Sequence, residues 1–342
     1  MSKSPYRLHY NENPLGSSPK VIQRIKECLT GISFYPHRDD EFLRDQLALF
    51  YGDGLTKDHF FSTYSGSEAL DLIARVYLQS GDEIIVCEPT FHVYSRTAEW
   101  QNAVVTNVPL NSDDFSLKTN AVREAVTSRT KLIYLGNPNN PTGTIVTKSE
   151  MATLYDSLPQ DVVIVSDEVY HHFVASPDYP NSIRDIVKGK NIIVLHSFSK
   201  AYGLAGLRMG VVIARPEIIE RLVQLRRTFH LGALEMEAAT VALQDQFHVE
   251  KTVALAMEGK KRLYAEFDRL NIKYWRSEGN FVLFQTPMLA DDLASQMAEY
   301  GIWVGSGSRF GLNYSIRVSI GLPEANEKFV ASLEKILSGS CL

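Results

Sequence analysis

The chain has 342 residues, of which 44% are hydrophobic and 22% are charged, and its formal net charge at pH 7 is -5. This length allows two domains, or one large domain with a smaller companion, and the composition is that of a globular enzyme. The acidic balance, without any block of lysines and arginines, argues against nucleic acid as a partner. No apolar run approaches the roughly 18 residues that span a membrane, so we expect no membrane association.

The cysteines are few and odd in number, and none stands in a CxxC spacing: Cys28, Cys87 and Cys341. This pattern favours reduced thiols in a cytoplasmic protein over disulfides or a metal cluster, and we expect Cys28 and Cys87 in the core. The first nine residues are polar and lack the apolar core of a signal peptide. His171 and His172 are adjacent rather than four residues apart, so we expect no metal.

Short apolar runs alternate with helical patterns between residues 60 and 215, which predicts an α/β fold with a largely parallel sheet between helices. Strands are predicted at residues 60–63, 84–87, 104–108, 132–135, 162–165, 192–195 and 211–214. Helices are predicted between them at residues 67–79, 119–125, 148–157 and 216–229.

The pattern changes after residue 240, where a long helical stretch is followed by a mixture of strands and helices. We predict a helix over 236–270, strands at 281–285 and 315–320, and helices at 289–300 and 324–337. The sequence therefore predicts a large domain at residues 36–240 and a smaller α+β C-terminal domain at residues 241–342. Residues 1–35 are predicted to form an N-terminal arm and part of the small domain.

One lysine follows the predicted strand 192–195 in the segment Ser197-Phe198-Ser199-Lys200, and Arg208 lies eight residues further on. A lysine at the end of a buried strand is costly unless it is paired or uncharged, and condensation with an aldehyde to a Schiff base removes its charge. The arginine, serines and glycines nearby are suited to hold a phosphate. Lysine, aldehyde and phosphate site together indicate pyridoxal 5'-phosphate (PLP).

The residues after the other predicted strands are an independent check, because ligands of open α/β sheets collect at the carboxyl ends of strands. Ser65, Gly66 and Ser67 begin a predicted helix, where free N–H groups favour a phosphate, although Ser65 or Ser67 can also be a plain N-cap. Phe91, after another predicted strand, is a candidate to stack on a flat pyridine ring, although an aromatic residue there is more often part of the core. Asp167 is a carboxylate at a buried strand end, and a protonated pyridine nitrogen would be its cationic partner and keep the ring an electron sink.

Four motifs occur in one order along the chain. They are S-G-S-E at 65–68, N-P-N-N-P-T-G at 137–143, S-D-E-V-Y at 166–170 and S-F-S-K-x-x-G-L-x-G-x-R-x-G at 197–210. Together they resemble the signature of fold-type I PLP enzymes of the class I/II aminotransferase group. The arm L-H-Y-N-E-N-P-L-G at 8–16 and the following Tyr35-Pro36 resemble histidinol-phosphate aminotransferases, so the resemblance covers nearly the whole chain.

The resemblance implies a fold-type I aminotransferase (EC 2.6.1.-) with PLP on Lys200, which moves an amino group from an L-amino acid or an amino-acid-like amine to a 2-oxo acid. It assigns catalytic roles to Lys200, Asp167 and Tyr170, and it makes Asn140 and Tyr170 the contacts of the cofactor's phenolic oxygen. It makes Asn140–Pro141 a candidate cis bond. It also implies a homodimer with the site at the subunit interface.

Arg317 matches the arginine that grips the substrate carboxylate, a bidentate role that suits a planar guanidinium. Tyr10 and Asn140 are the other expected substrate contacts. Tyr10, His230 and Trp303 are candidates for a side-chain pocket, with plain packing or a surface position as the favoured alternative for each.

Two positions depart from the histidinol-phosphate pattern. Gly305 stands where those enzymes have a second arginine for the substrate phosphate, and Arg309 is displaced from that position. Leu47 stands where they have a tyrosine that reaches the partner subunit's cofactor phosphate. These departures put histidinol phosphate in doubt, and we expect an L-amino acid with an aromatic, imidazole or basic side chain as the donor.

Two other classes of function stay open. Decarboxylation, elimination, cyclisation or amino-acid oxidation on the same fold is one alternative, because a sequence does not show which substrate bond stands perpendicular to the ring. A non-catalytic PLP-binding protein is the other, although an intact lysine, aspartate and arginine set argues against it.

Overall fold

The structure is a computed structural model that describes residues 5–339, so Cys341 lies outside the described residues. The strands are β1 Tyr6–Leu8, β2 Phe60–Thr63, β3 Glu83–Glu88, β4 Val104–Pro109, β5 Thr130–Gly136, β6 Val163–Asp167, β7 Ile192–Ser197, β8 Gly210–Ile213, β9 Tyr274–Trp275, β10 Phe281–Gln285, β11 Ile302–Ser306 and β12 Ser315–Ser319. The helices are α1 Pro19–Cys28, α2 Glu41–Tyr51, α3 Gly66–Tyr77, α4 Val93–Glu99, α5 Thr119–Glu124, α6 Lys148–Ser157, α7 Ser182–Val187, α8 Pro216–Val223, α9 Ala233–Gln244, α10 Gln246–Arg269, α11 Ala290–Glu299 and α12 Pro323–Gly339.

Seven strands form one sheet in the order β2-β8-β7-β6-β5-β3-β4. The neighbouring pairs from β7 to β4 are parallel, and β8 runs antiparallel to both of its neighbours. Every predicted strand between residues 60 and 214 is confirmed, with each end within two residues of its prediction. The sheet therefore collects the carboxyl ends of β5, β6 and β7 along one edge.

Both faces of this sheet are covered by helices, and alternate residues of each strand serve the two faces. Ile133 and Ile164 belong to the apolar core on one face, and Leu132 and Val163 belong to the core on the other. Burial on both sides explains why the strands are continuous apolar runs rather than alternating patterns.

The second sheet has five strands in the order β1-β11-β12-β10-β9, and its core is formed with Phe267, Phe284 and Phe329. β1 comes from the N-terminal arm and pairs in parallel with β11. The helix α10 packs on both cores, with Val249 on the seven-stranded sheet's side and Phe267 on the other. The division into domains at residue 240 stays a prediction.

Several local predictions were wrong. The predicted helix 236–270 is two helices, α9 and α10, because the buried Asp245 between them turns its carboxylate to the hydroxyl of Ser18 and to Lys20 Nζ at 2.8 Å. The predicted helix 216–229 ends at Val223, and α1, α2, α4, α7, β1, β9 and β11 were not predicted.

Cys87 is in the core as expected, and burial raises its pKa to about 12, whereas Cys28 is only half-buried.

The arm that follows β1 passes between the two sheets and is held by buried asparagines. Asn11 Nδ2 donates to the hydroxyl of Tyr170 at 3.0 Å, and Asn13 Nδ2 donates to the carbonyl of Ala201 at 2.9 Å. Asn280 Nδ2 in turn donates to the carbonyl of Asn11 at 3.1 Å. The arm is thus hydrogen-bonded to a residue directly after Lys200 and to one three residues after Asp167.

Among residues 5–339, no helix is both long and apolar enough to cross a bilayer. In the same part of the chain, no group of three or more His, Cys, Asp or Glu side chains is arranged to hold a metal ion.

Candidate active site

A cavity of about 750 Å³ lies where the carboxyl ends of β5, β6 and β7 face the five-stranded sheet. Every cofactor and substrate residue predicted from the sequence lines it except Ser65. The lining predicted residues are Tyr10, Gly66, Ser67, Phe91, Asn140, Asp167, Tyr170, Ser197, Ser199, Lys200, Arg208 and Arg317. Residues up to 307 positions apart in sequence therefore meet in one cavity.

Ser65 does not line the cavity, but it caps the helix whose first turn does. It is the N-cap of α3, with a positive φ of 86°, and its hydroxyl accepts from Glu68 N at 3.4 Å. Gly66 and Ser67, in the first turn, then line the cavity where N–H groups and the helix dipole favour an anion. Gly210 allows β8 to approach this turn, since an added Cβ would lie 2.8 Å from Gly66 N.

Lys200 lies just beyond β7, and its Nζ donates to the carbonyl of Tyr10 at 3.0 Å and lies 5.5 Å from the centre of the Tyr170 ring. The segment around it is fixed by its own polar groups. Ser199 N donates to Ser197 Oγ at 3.0 Å, and Arg208, in the left-handed region with φ of 58°, donates from Nη1 to the carbonyl of Ala205 at 3.0 Å. Hydroxyls, a guanidinium and an amine therefore border one cavity, a donor set that suits a phosphate and an aldehyde.

Asp167 is the last residue of β6 and is 8% exposed. Tyr94 donates its hydroxyl to Asp167 Oδ2 at 2.8 Å, and within the described residues the carboxylate forms no ion pair. Burial raises the pKa of Asp167 to about 6, because desolvation penalises the charged form. A cationic ring nitrogen would supply the missing counter-charge, so the residues present fit PLP.

Arg317, on β12, is 8% exposed and points into the cavity. Its Nη1 donates to Asn140 Oδ1 and its Nη2 to the carbonyl of His9, while its Nε has no hydrogen-bond partner among the described residues. Burial and then the like charge of Arg309 lower the pKa of Arg317 from its usual value, as desolvation does for any cation. A buried guanidinium with a free donor is ready for an anion.

Three functional contacts were missed by sequence reasoning. Tyr94 lies three residues after Phe91 on α4, and Asn11 is in the polar arm, yet nothing in the sequence shows that they bond Asp167 and Tyr170. The His9 carbonyl is a backbone group and carries no sequence signal at all. The predicted cis bond Asn140–Pro141 is confirmed, and Glu88–Pro89 and Asn137–Pro138 are also cis.

His230 and Trp303 do not line the active-site cavity, in agreement with the packing alternative that was favoured for both. His230 borders a different cavity, where its ring stacks on Phe61 at 5.8 Å. Trp303 packs edge-on against His9 at 5.4 Å and does not line the active-site cavity. Arg309, by contrast, lines this cavity even though it is four residues from Gly305. Leu47, on α2, is buried in the hydrophobic core.

The sequence matches the family aminotransferase class I and II over residues 5–333. A histidinol-phosphate aminotransferase of Moorella thermoacetica is 36% identical over 337 residues, which cover 98% of this chain and 86% of that protein. Histidinol-phosphate aminotransferase 2 of Hydrogenovibrio crunogenus is 37% identical over 336 residues, covering 98% and 89%. The crystal structure of histidinol-phosphate aminotransferase from Sinorhizobium meliloti in complex with pyridoxal-5'-phosphate superposes with a TM-score of 0.89 at 23% identity, covering 98% and 92%, and shows the shared fold.

The fold, the cavity and the family match together define a PLP-dependent enzyme of fold type I. The chain belongs to the class I and II aminotransferases and is a PLP-dependent transaminase. The predicted fold, cofactor and transamination are thereby confirmed, and the other PLP chemistries are not favoured.

The raised pKa of Asp167 makes the stability of the PLP-free protein depend on pH. The folded protein binds this proton more tightly than the unfolded chain, so unfolding free energy falls as pH rises from about 4 to about 6. Asp167→Asn removes this loss. The free energy of unfolding of the PLP-free variant, minus that of the PLP-free wild type, should therefore be about 1–3 kcal/mol larger at pH 7 than at pH 4. Urea unfolding of both proteins at the two pH values measures the difference. A stability difference that is the same at both pH values would contradict the assignment.

Proposed function

We propose that Lys200, Asp167 and Tyr170 carry out catalysis and that Arg317 binds the anionic group of the substrate. The observation that supports this most directly is the meeting of a lysine amine, a buried carboxyl without an ion pair and an arginine with a free Nε in one cavity. The cofactor phosphate is held by the first turn of α3, with Gly66 and Ser67 capped by Ser65, and by Ser197, Ser199 and Arg208. Phe91 covers the ring, and Tyr10 and Asn140 contact the substrate.

Bound in this cavity, PLP supplies an aldehyde for covalent attachment of amines and a ring that accepts electrons from the substrate. Lys200 Nζ would hold the cofactor, and as a free amine it would accept the proton from the substrate Cα. The Asp167 carboxylate keeps the ring nitrogen protonated, and the Tyr94 hydroxyl fixes that carboxylate. Arg317 and Asn140, which are bonded to each other, orient the substrate so that its Cα–H faces Lys200.

For the donor, Arg309 and Arg317 of the cavity support L-histidinol phosphate, which carries a phosphate ester and an imidazole. Arg309 lines the cavity, and its positive charge lowers the pKa of Arg317, so the two guanidinium groups interact electrostatically. A dianionic substrate group in the cavity would therefore interact with two cations. The histidinol-phosphate aminotransferases that share about a third of this sequence add to this support. A second candidate is an L-amino acid with an aromatic, imidazole or basic side chain, because Gly305, opposite Arg317 on β11, lacks a Cβ that would otherwise lie 3.4 Å from Arg317 Nη2.

Arg309→Ala should separate the two candidates. Loss of one charge-assisted contact should raise the KM for L-histidinol phosphate about 10–100-fold and leave the KM for L-histidine within about threefold. Arg276→Ala, which removes an exposed arginine stacked on Tyr264 outside the cavity, is the matched control and should change neither. The amino-transfer half-reaction, followed by the loss of the cofactor's visible absorption, gives both constants. Turnover of L-histidine without turnover of L-histidinol phosphate in the wild type would establish the second candidate instead.

We also propose that the protein is a homodimer. The segment from Leu29 to Phe50 carries large apolar side chains that face solvent: Ile32 is 65% exposed, Phe34 77%, Tyr35 83%, Phe42 58% and Leu49 76%. Several large apolar side chains exposed within one segment of a single subunit favour a protein interface. A cytoplasmic location stays a prediction from the cysteine content.

Replacing Phe34 and Leu49 together by serine should weaken the dimer about tenfold or more, because two large apolar side chains would leave the interface. Phe247→Ser is the control, since Phe247 is 64% exposed on α10, outside this segment. Sedimentation velocity over a range of concentrations reports the dissociation constant. A wild type that sediments as a monomer at micromolar concentration, or a control that dissociates as readily as the double variant, would refute the interface.

A further inference from the structure

Glu168 is a second buried carboxyl directly after Asp167, and it lies on the opposite face of the sheet edge, away from the cavity. It is 3% exposed, and its Oε1 accepts hydrogen bonds from Ser166 Oγ at 2.8 Å and Ser182 Oγ at 2.5 Å. Its Oε2 lies 3.5 Å from Nε2 of His196, which is itself 5% exposed. None of these side chains lines the active-site cavity.

The contacts of this group join the strands that carry the cofactor residues. His196 is on β7, four residues before Lys200, and its Nδ1 is bonded to the hydroxyl of Tyr51 on α2 at 2.5 Å. Glu168 N also donates to the carbonyl of Leu195 on β7 at 2.9 Å. β6 and β7 are thus joined through side chains and through the backbone near their carboxyl ends, where Asp167 ends β6 and Lys200 follows β7.

The same group reaches the loop of Asn140 through Tyr179. The Tyr179 hydroxyl donates to the carbonyl of Asn137 at 2.7 Å, and the Tyr179 side chain also interacts with the Glu168 carboxyl. Asn137 follows β5 directly and begins the loop that ends in Asn140. Glu168 and His196 therefore contact the ends of β6 and β7, and Tyr179, which influences the Glu168 carboxyl, contacts the residue that follows β5.

The burial of these polar side chains is not explained by a gain in the free energy of unfolding. Burial raises the pKa of Glu168 to about 7 and lowers that of His196 to about 3, since desolvation disfavours the charged form of each. Buried polar groups are costly unless fully bonded, and apolar replacements of similar size are often neutral or stabilising. Hydrogen-bonded groups behind a site do, however, orient those within it, although His196 Nε2 itself has no hydrogen-bond partner among the described residues.

We propose that Glu168 is a positioning residue that holds the ends of β5, β6 and β7, and with them Asn140, Asp167 and Lys200, in the arrangement that PLP requires. The proposal rests on the cofactor roles proposed above for these three residues. Glu168 touches neither cofactor nor substrate and acts only through the strand ends.

The test compares Glu168→Ala, Glu168→Gln and the control Glu83→Ala. Glu83 is also a buried carboxyl, 5% exposed, bonded to Thr127 Oγ1 at 2.6 Å, but it lies at the start of β3, at the opposite edge of the sheet. Glutamine keeps an oxygen that accepts from Ser166 and Ser182, so it should rescue the position. The readouts are the PLP dissociation constant of the PLP-free protein, kcat and KM for the donor, and the urea unfolding midpoint.

Glu168→Ala should weaken PLP binding about tenfold or more and lower kcat about 10–100-fold, with the donor KM within about threefold. Glu168→Gln should stay within about threefold of wild type for PLP binding and kcat. Glu83→Ala should lower the unfolding midpoint and leave the PLP dissociation constant unchanged. Unchanged PLP affinity in folded Glu168→Ala, or an equal loss of affinity in Glu83→Ala, would overturn the proposal.

If Glu168→Ala does not fold, Tyr179→Phe decides the question, because it removes a single hydroxyl that bonds Asn137. It should weaken PLP binding about three- to tenfold, and unchanged binding would overturn the proposal. Failure of the proposed function would look different, since the wild type itself would then not bind PLP at Lys200.

Discussion

The central constraint on this structure is the buried carboxyl of Asp167 at the end of a central strand. Its bonds to Tyr94 and to the backbone do not supply a positive charge, and its pKa is raised accordingly. A carboxyl in this position is stable in its charged form only with a cation beside it. The protonated ring of PLP is such a cation, so cofactor binding and the electrostatics of the folded chain are linked at this residue.

The parallel sheet makes this arrangement possible. Because β5, β6 and β7 run in one direction, their carboxyl ends meet at one edge and deliver Asn140, Asp167 and Lys200 together. The five-stranded sheet brings Arg317 from the other side, and the N-terminal arm fills the space between with the carbonyls of His9 and Tyr10. The site is thus built from segments that lie far apart in the sequence, and each is held by contacts to the arm or to the neighbouring strand.

The sequence predicted the parts of this structure that depend on local pattern. Buried parallel strands are continuous apolar runs, so β2 to β8 were found, and polar residues after those runs identified the cavity. Contacts between distant segments were not predictable. Nothing local shows that Asp245 bonds Ser18 and so divides a helix, that Tyr94 reaches Asp167, or that Asn11 reaches Tyr170. The sequence also left the place of the His230 ring open between a pocket and plain packing, because that place is set by its stacking on Phe61.

The covalent role of Lys200 is tested most directly by trapping. The full-length protein is saturated with PLP, reduced with borohydride, digested and analysed by mass spectrometry. We expect a pyridoxyl group on Lys200 Nζ in the wild type and none at that position in Lys200→Ala. A reduced wild type without this adduct, or with the adduct on another lysine, would contradict the account.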